Sequence, residues 1–241
     1  GALSGATAVQ LGAAAIAAAL TRSGLQGDAI DELLMGCVLP AGLGQAPARQ
    51  AALGAGLPLS VGCTTINKMC GSGMKATMLA HDLLKAGSNR VMLAGGLESM
   101  SNAPYLLPKA RGGMRMGHAQ ALDHMFLDGL EDAYDKGKLM GVFAENTADK
   151  YGFTREQQDD FAITSLKRAQ RAIEDGDLAN EITPVTLQTR KGETIIDTDE
   201  QPFNANIEKI PQLRPAFRAD GTVTAANSSS ISDGAAALVL M

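Results

Sequence analysis

Thr64-Thr65-Ile66-Asn67-Lys68-Met69-Cys70-Gly71-Ser72-Gly73-Met74-Lys75-Ala76 joins two kinds of sequence pattern. From Val61 the residues leading into it are β-branched and apolar, which predicts a short strand. Residues 74–84 carry apolar side chains at helical spacing, which predicts a helix. Cys70 therefore falls where a strand gives way to a helix. Gly71 and Gly73 are expected to permit the tight turn and the close packing there. A thiol in that place feels the positive end of the helix dipole, which favours a thiolate. Backbone N–H groups of a first helical turn lack helical partners and can receive a developing oxyanion. The other reading of Cys70 is a buried core thiol, because free cysteine is among the most buried residue types.

Outward from this junction, the 241 residues are 45% hydrophobic, enough for a substantial core. Only 4% are aromatic, none is Trp and 27 are Gly, so the core is built from small and aliphatic side chains with backbones packed closely. The net charge of −5 argues against a non-specific nucleic-acid binder. Positive charge is local, in Lys109, Arg111 and Arg115, in Arg190-Lys191, and in Lys209, Arg214 and Arg218. Such groups are either solvated surface or a seat for a phosphate-bearing small ligand. Cys37, Cys63 and Cys70 make an odd count without paired spacing, which predicts reduced thiols and a cytoplasmic setting. No Cys and His cluster has zinc-ligand spacing. The Ala-rich run at 11–20 is too short to span a bilayer.

Taken in order, the chain predicts a helix over 7–24, a strand within 30–38 with Cys37 in the core, and a helix within 45–57 that carries Arg49. The organising strand and helix follow, then a buried strand at 90–96. Alternating helices and strands indicate a layered α/β core. From about 101 to 222 the pattern changes. Residues 123–134 and 141–151 are expected to be helical. Thr154-Arg155-Glu156-Gln157 has the form of a capping box and opens a long helix to about 174. A small ribbon is expected around Arg190-Lys191-Gly192. Residues 234–241 return as an apolar strand.

Three segments together resemble the thiolases, the acetyl-CoA acyltransferases. They are Asn67-Lys68-Met69-Cys70-Gly71-Ser72-Gly73-Met74-Lys75-Ala76, Gly95-Gly96-Leu97-Glu98-Ser99-Met100-Ser101, and Ala225-Ala226-Asn227-Ser228-Ser229-Ser230-Ile231-Ser232-Asp233-Gly234-Ala235-Ala236-Ala237. They occur in the family's order, and the likeness covers essentially the whole chain. It implies a thiolase-like layered α/β fold, a mixed sheet with helices, carrying a large, mostly helical loop insertion. By that likeness residues 1–100 are core, 101–222 the insertion that binds coenzyme A and supports tetramers, and 223–241 the return to the core. The family's C-terminal half and first strand lie outside these residues, so a sheet edge or a gap in the core is expected.

The resemblance assigns Cys70 the role of nucleophile that accepts an acyl group from acyl-CoA, with its own N–H in one oxyanion hole. It implies coenzyme A thioesters as substrates, no separate cofactor or metal, and a homo-dimer or tetramer paired through the strand before Cys70. Neither nucleic acid nor a membrane is an expected partner. Leu130, Met140, Phe217, Ala225 and Ser229 occupy positions resembling the family's pantetheine and adenine contacts; each apolar one could equally be core of the insertion. Leu139 stands where the family often has His, and the region of Pro202 lacks a basic residue the family often places there. Glu98 and Asn146 are expected to tie loops at the site. The family's catalytic His, Asn and second Cys have no counterpart in these residues. His81 lies on the Cys70 helix but ~16 Å along it. His118 and His124 are expected at the surface or a ligand edge. The chain by itself is therefore expected not to turn over. Two rival readings are a non-catalytic assembly module of the same fold and a ketoacyl-synthase-like condensing enzyme.

Overall fold

Thr7 starts the first long helix. Its hydroxyl accepts the Gln10 N–H at 3.2 Å, and the Gln10 side chain returns to the Thr7 N–H at 2.8 Å. This capping box satisfies two otherwise orphaned donors. In the computed structural model, which describes residues 1–190 and 192–241, α1 then runs Ala8–Ser23 and stops at Gly24, whose φ of 70° suits glycine. β1 (Glu32–Gly36), α2 (Pro47–Gly54), β2 (Gly62–Ile66), α3 (Ser72–Lys85) and β3 (Met92–Ser99) follow. Each lies within about three residues of its expected place, close to the ordinary scatter of helix and strand ends.

The strands β1, β2 and β3 join β8 (Asp233–Leu240) in a mixed sheet of order β2-β1-β3-β8. β1 is parallel to both β2 and β3, and β8 runs antiparallel to β3 from Met92↔Leu240 to Ser99↔Asp233. The side-chain period of two distributes the apolar residues to both faces. Leu33 and Met35 of β1 join Leu93 and Leu97 of β3 in a core with Ile16 of α1 and Ala48, Ala51 and Ala52 of α2. Leu34, Met92 and Ala94 point the other way, onto Ala76 and Ala80 of α3. The result is a helix–sheet–helix sandwich, which is why Leu33-Leu34-Met35 is buried without alternation. Cys37 is in the first core, as expected. Of the expected sheet edge or gap in the core, the described residues show edges, at β2 and β8, and no gap between β1 and β3, which pair directly, Glu32↔Met92 through Gly36↔Gly96, so that their backbones satisfy one another.

Contacts divide the chain into two compact units, 1–129 with 183–196 and 232–241, and 130–182 with 197–231. The expected blocks 1–100, 101–222 and 223–241 fall differently. The ribbon of β6 (Val185–Thr189) and β7 (Gly192–Ile196) belongs to the first unit. Lys191, at its expected turn, lies outside the described residues. The first unit also holds a short pair, β4 (Tyr105–Leu106) and β5 (Leu122–Asp123).

The second unit is mostly helical. It contains α4 (Met140–Tyr151), α5 (Arg155–Glu174) and the short α6 (Gln201–Asn204). Thr154 and Gln157 form the expected capping box of α5. The helix expected over 123–134 forms only in part: after β5, residues 124–130 are helical and pass into a π turn (Phe126–Leu130), and an irregular loop follows. Asp132 accepts the N–H groups of Tyr134 and Asp135, and Glu131 accepts that of Gly137, so local side chains take the donors a helix would need.

Candidate active site

The loop between β2 and α3 is folded by its own side chains. Asn67 Oδ1 accepts the Met69 N–H at 3.0 Å. The buried Ser72 hydroxyl accepts the Lys68 N–H at 2.9 Å and donates to the Met69 carbonyl at 2.5 Å. Between these ties Met69 takes a left-handed φ of 49°. That costs a non-glycine residue roughly 1–2 kcal/mol. The strain expected to fall on glycine therefore sits on Met69. Gly71 has φ −91°, and a Cβ there would meet only the Lys68 carbonyl, at 3.5 Å.

The close packing also has a different author in the sequence than Gly73, which has only ordinary contacts. It is Gly36 on β1: a Cβ there would lie 2.6 Å from Gly73 N and from the Ser72 carbonyl carbon. Glycine at 36 lets the start of α3 rest on the sheet backbone. Two donors of the first turn are already used, Ser72 N–H by Met69 O and Lys75 N–H by Gly71 O. Those of Gly73 and Met74 have no partner among the described residues.

This turn presents Cys70 to solvent. Cys70 lines a hollow of about 240 Å³ with Gly36, Val38, Met69, Gly96 and Glu98. The wall opposite is fixed by Glu98, whose carboxylate accepts the N–H groups of Val38 at 2.8 Å and Leu39 at 3.0 Å. It also accepts the Cys37 thiol at 3.6 Å. Glu98 thus ties a loop, as expected. Burial, then the charge of Glu98 and its hydrogen bond, push the Cys37 thiol up to about 12. Burial also raises Cys63, against the opposing pull of Arg49. Cys70 is the exposed thiol of the three.

The histidines divide. His81 is exposed and bonds Asp82 at 3.2 Å, and His118 is exposed. His124 departs from expectation: it is buried, 4% exposed. Its Nε2 accepts the Ala41 N–H at 3.3 Å, which assigns the ring proton to Nδ1, donated to Asp128 at 2.7 Å. Both ring nitrogens are occupied in holding loops together.

Leu130, Met140, Phe217, Ala225 and Ser229 all belong to the second unit, whereas Cys70 belongs to the first. Leu130 and Phe217 are half-buried, Met140 opens α4, and Ala225 and Ser229 are exposed. The Phe217 ring lies against Gly141, where a Cβ would collide with it. Asn146 is exposed, and the loop tie expected of it belongs to its neighbour Glu145, which is 1% exposed. Helical rotation turns residue 145 inward and 146 outward, which polarity alone does not reveal. Arg218 does not wait for a phosphate: it grips Asp149 through two bonds, 2.7 and 3.1 Å. Among the described residues no group of three His, Cys, Asp or Glu could hold a metal ion, and no helix is long and apolar enough to cross a membrane.

Sequence reasoning missed Gly36, Ser72, His124 and Glu145. Asn67 two residues before Met69 and Ser72 four after Lys68 were the available signals for the turn; Gly36, His124 and Glu145 depend on contacts distant in sequence.

A layered α/β unit that holds an exposed thiol at a strand-to-helix turn is the class of scaffold defined by this fold and site. The thiolase N-terminal domain matches it over residues 1–241. The chain belongs to the thiolase family. It is 52% identical over 243 residues to acetyl-CoA acetyltransferase of Pseudomonas aeruginosa, covering 100% of this chain and 62% of that protein. It is 52% identical over 245 residues to acetyl-CoA acetyltransferase 2 of Arabidopsis thaliana, covering 100% and 60%. The mitochondrial acetyl-CoA acetyltransferase B of Xenopus laevis is 51% identical over 243 residues, covering 100% and 57%. The chain thus spans about 60% of the length of these relatives.

Proposed function

We propose that this chain supplies the nucleophile of an acyl-CoA acyltransferase that condenses two acyl-CoA molecules to a 3-ketoacyl-CoA, or runs the reverse thiolysis. The observation that carries this reading is the exposed Cys70 at the β2–α3 turn, lining a hollow while the other two thiols are buried or half-buried. The relatives' names, acetyl-CoA acetyltransferase, support it. Cys70 sulfur attacks the thioester carbonyl, the acyl–sulfur bond to coenzyme A breaks, and coenzyme A leaves as the thiol. The α-carbon of a second acyl-CoA, after losing a proton, attacks the new thioester and frees Cys70. A thiol serves both as nucleophile and as leaving group near neutral pH. Within these residues His81 and His124 are engaged with Asp82 and with Asp128 and Ala41. Among the described residues no histidine lines the hollow beside Cys70, and the 241 residues alone are expected to be inactive.

The reading extends to coenzyme A contacts at Leu130, Met140, Phe217, Ala225 and Ser229, and to a homo-dimer or tetramer paired through β2. The edge position of β2 and its exposed Thr64 support the pairing. Three unpaired thiols support a cytoplasmic, reducing setting.

The test is thiolysis of acetoacetyl-CoA by these residues completed with the remainder of a thiolase chain, followed as loss of substrate absorbance; the 241 residues alone are expected to show none. Cys70→Ala is expected to lower turnover at least about 10³-fold. Undiminished turnover in that variant overturns the assignment. Sedimentation at micromolar concentration tests the oligomer; a well-folded monomer sinks that part.

A further inference from the structure

The second unit contains a buried carboxylate that the acyl-transfer chemistry does not use. Glu145 projects from α4 and is 1% exposed. Both its oxygens accept the Thr222 N–H, at 2.9 and 3.0 Å, and one accepts the Val223 N–H at 2.9 Å. The Thr222 hydroxyl adds a bond at 3.2 Å while receiving one from Gln158 at 2.9 Å. Arg218 stands 3.9 Å away. At Gly221 a Cβ would collide with the carboxylate, so the chain passes directly over it. Phe217, on the same arch, is closed onto Gly141 of α4, one helical turn before Glu145. The arch 217–224 is thus fixed to α4 at two points, one apolar and one ionic. Removing the ionic one leaves the half-buried Thr222 N–H and the buried Val223 N–H without an acceptor.

We propose that Glu145 is a positioning residue for acyl-CoA binding: it holds the arch so that Phe217 and the adjoining Ala225 keep the shape that receives the pantetheine and adenine groups. This rests on the acyltransferase reading above. A wall held in place before the ligand arrives spares the ligand the cost of ordering it.

Two variants test this. Glu145→Gln keeps the shape but loses the charge and one acceptor, and Thr222→Val, should the first variant not fold, removes only the hydroxyl's two bonds, to Glu145 and from Gln158. Coenzyme A binding by the purified protein is measured by calorimetry, with hydrogen exchange at Thr222 and Val223 and the rate of Cys70 alkylation, and KM and kcat for acetoacetyl-CoA thiolysis are measured on these residues completed with the remainder of a thiolase chain. Glu145→Gln is expected to exchange faster at those two amides and to weaken coenzyme A binding about tenfold. KM rises with it, while kcat and Cys70 alkylation hold. Thr222→Val moves the same readouts by less. Unchanged affinity in both variants, with wild-type binding intact, overturns the inference and leaves the acyltransferase reading standing. Absence of coenzyme A binding by the unaltered protein overturns both.

Discussion

The Cys70 turn and the Glu145 arch are both loops seated on a helix, and they are held in opposite ways. The turn is closed by neighbours: Asn67 to Met69 across two residues, and Ser72 to Lys68 across four. All its ties are neutral, and it stores strain at Met69. The arch is closed by an ionised side chain reaching 77 and 78 residues along the chain. A short-range closure forms with little loop entropy and presents a side chain outward. A long-range one must be repaid by strong interactions, and a buried carboxylate with several donors provides them. The proposed nucleophile thus stands on a locally defined, slightly strained turn, and the proposed ligand wall on a charge-anchored one.

The largest expected contrast is in thiol reactivity, and it sharpens the first half of this comparison. With Cys37 raised to about 12, roughly 10⁻⁴ of it is thiolate at pH 8. Timed alkylation with iodoacetamide and peptide mapping should label Cys70 well ahead of Cys63 and leave Cys37 almost untouched. Equal labelling breaks the claim that the turn singles out one thiol.

Next comes packing under the turn. Gly36→Ala forces a methyl against the backbone of Ser72 and Gly73. A loss of about 2–3 kcal/mol is expected in denaturant unfolding, because backbone gives way less readily than a side chain. A change within half a kcal/mol would mean that α3 rides free of the sheet.

Acid probes the arch. Burial by itself would push the Glu145 carboxyl up, but the Thr222 and Val223 N–H groups, the Thr222 hydroxyl and Arg218 outweigh it and hold it below its ordinary value of 4.5. The folded value is depressed, so its stabilisation is present above 4.5 and is lost as the pH falls through the folded value. Hydrogen exchange at Thr222 and Val223, corrected for intrinsic rates, should therefore quicken below pH 4.5 in a way that Glu145→Gln abolishes. The Ser72 tie is neutral, so the Lys68 amide should lack that component. Parallel acid behaviour of both loops erases the distinction.

The smallest effect concerns the strain. Met69→Gly should stabilise the fold by up to about 1 kcal/mol, since glycine accepts the left-handed backbone without penalty but is freer when unfolded. Thermal melting checks the sign. Destabilisation by more than that would show that the Met69 side chain contributes packing that outweighs its strain.

The sequence by itself determined the elements whose signals are local. The Thr154-x-x-Gln157 box, the stop at Gly24, the continuous apolar run of β1 and the strand–cysteine–helix junction each depend on residues within a few positions. Their propensities and capping bonds agree with the final fold. It also determined the family, because three separated segments agree. Only the tertiary structure decided which residues bear the load. Glycine at 36 matters because α3 lies on it, and His124 is inside because Ala41 and Asp128 meet its two nitrogens. Glu145 rather than Asn146 is the tie because α4 turns residue 145 toward the arch. The helix expected over 123–134 stops at 130 because Glu131 and Asp132 find nearer donors. Periodicity reports which side chains can share a face; which backbone donor, from 80 residues away, will arrive there is set by packing alone.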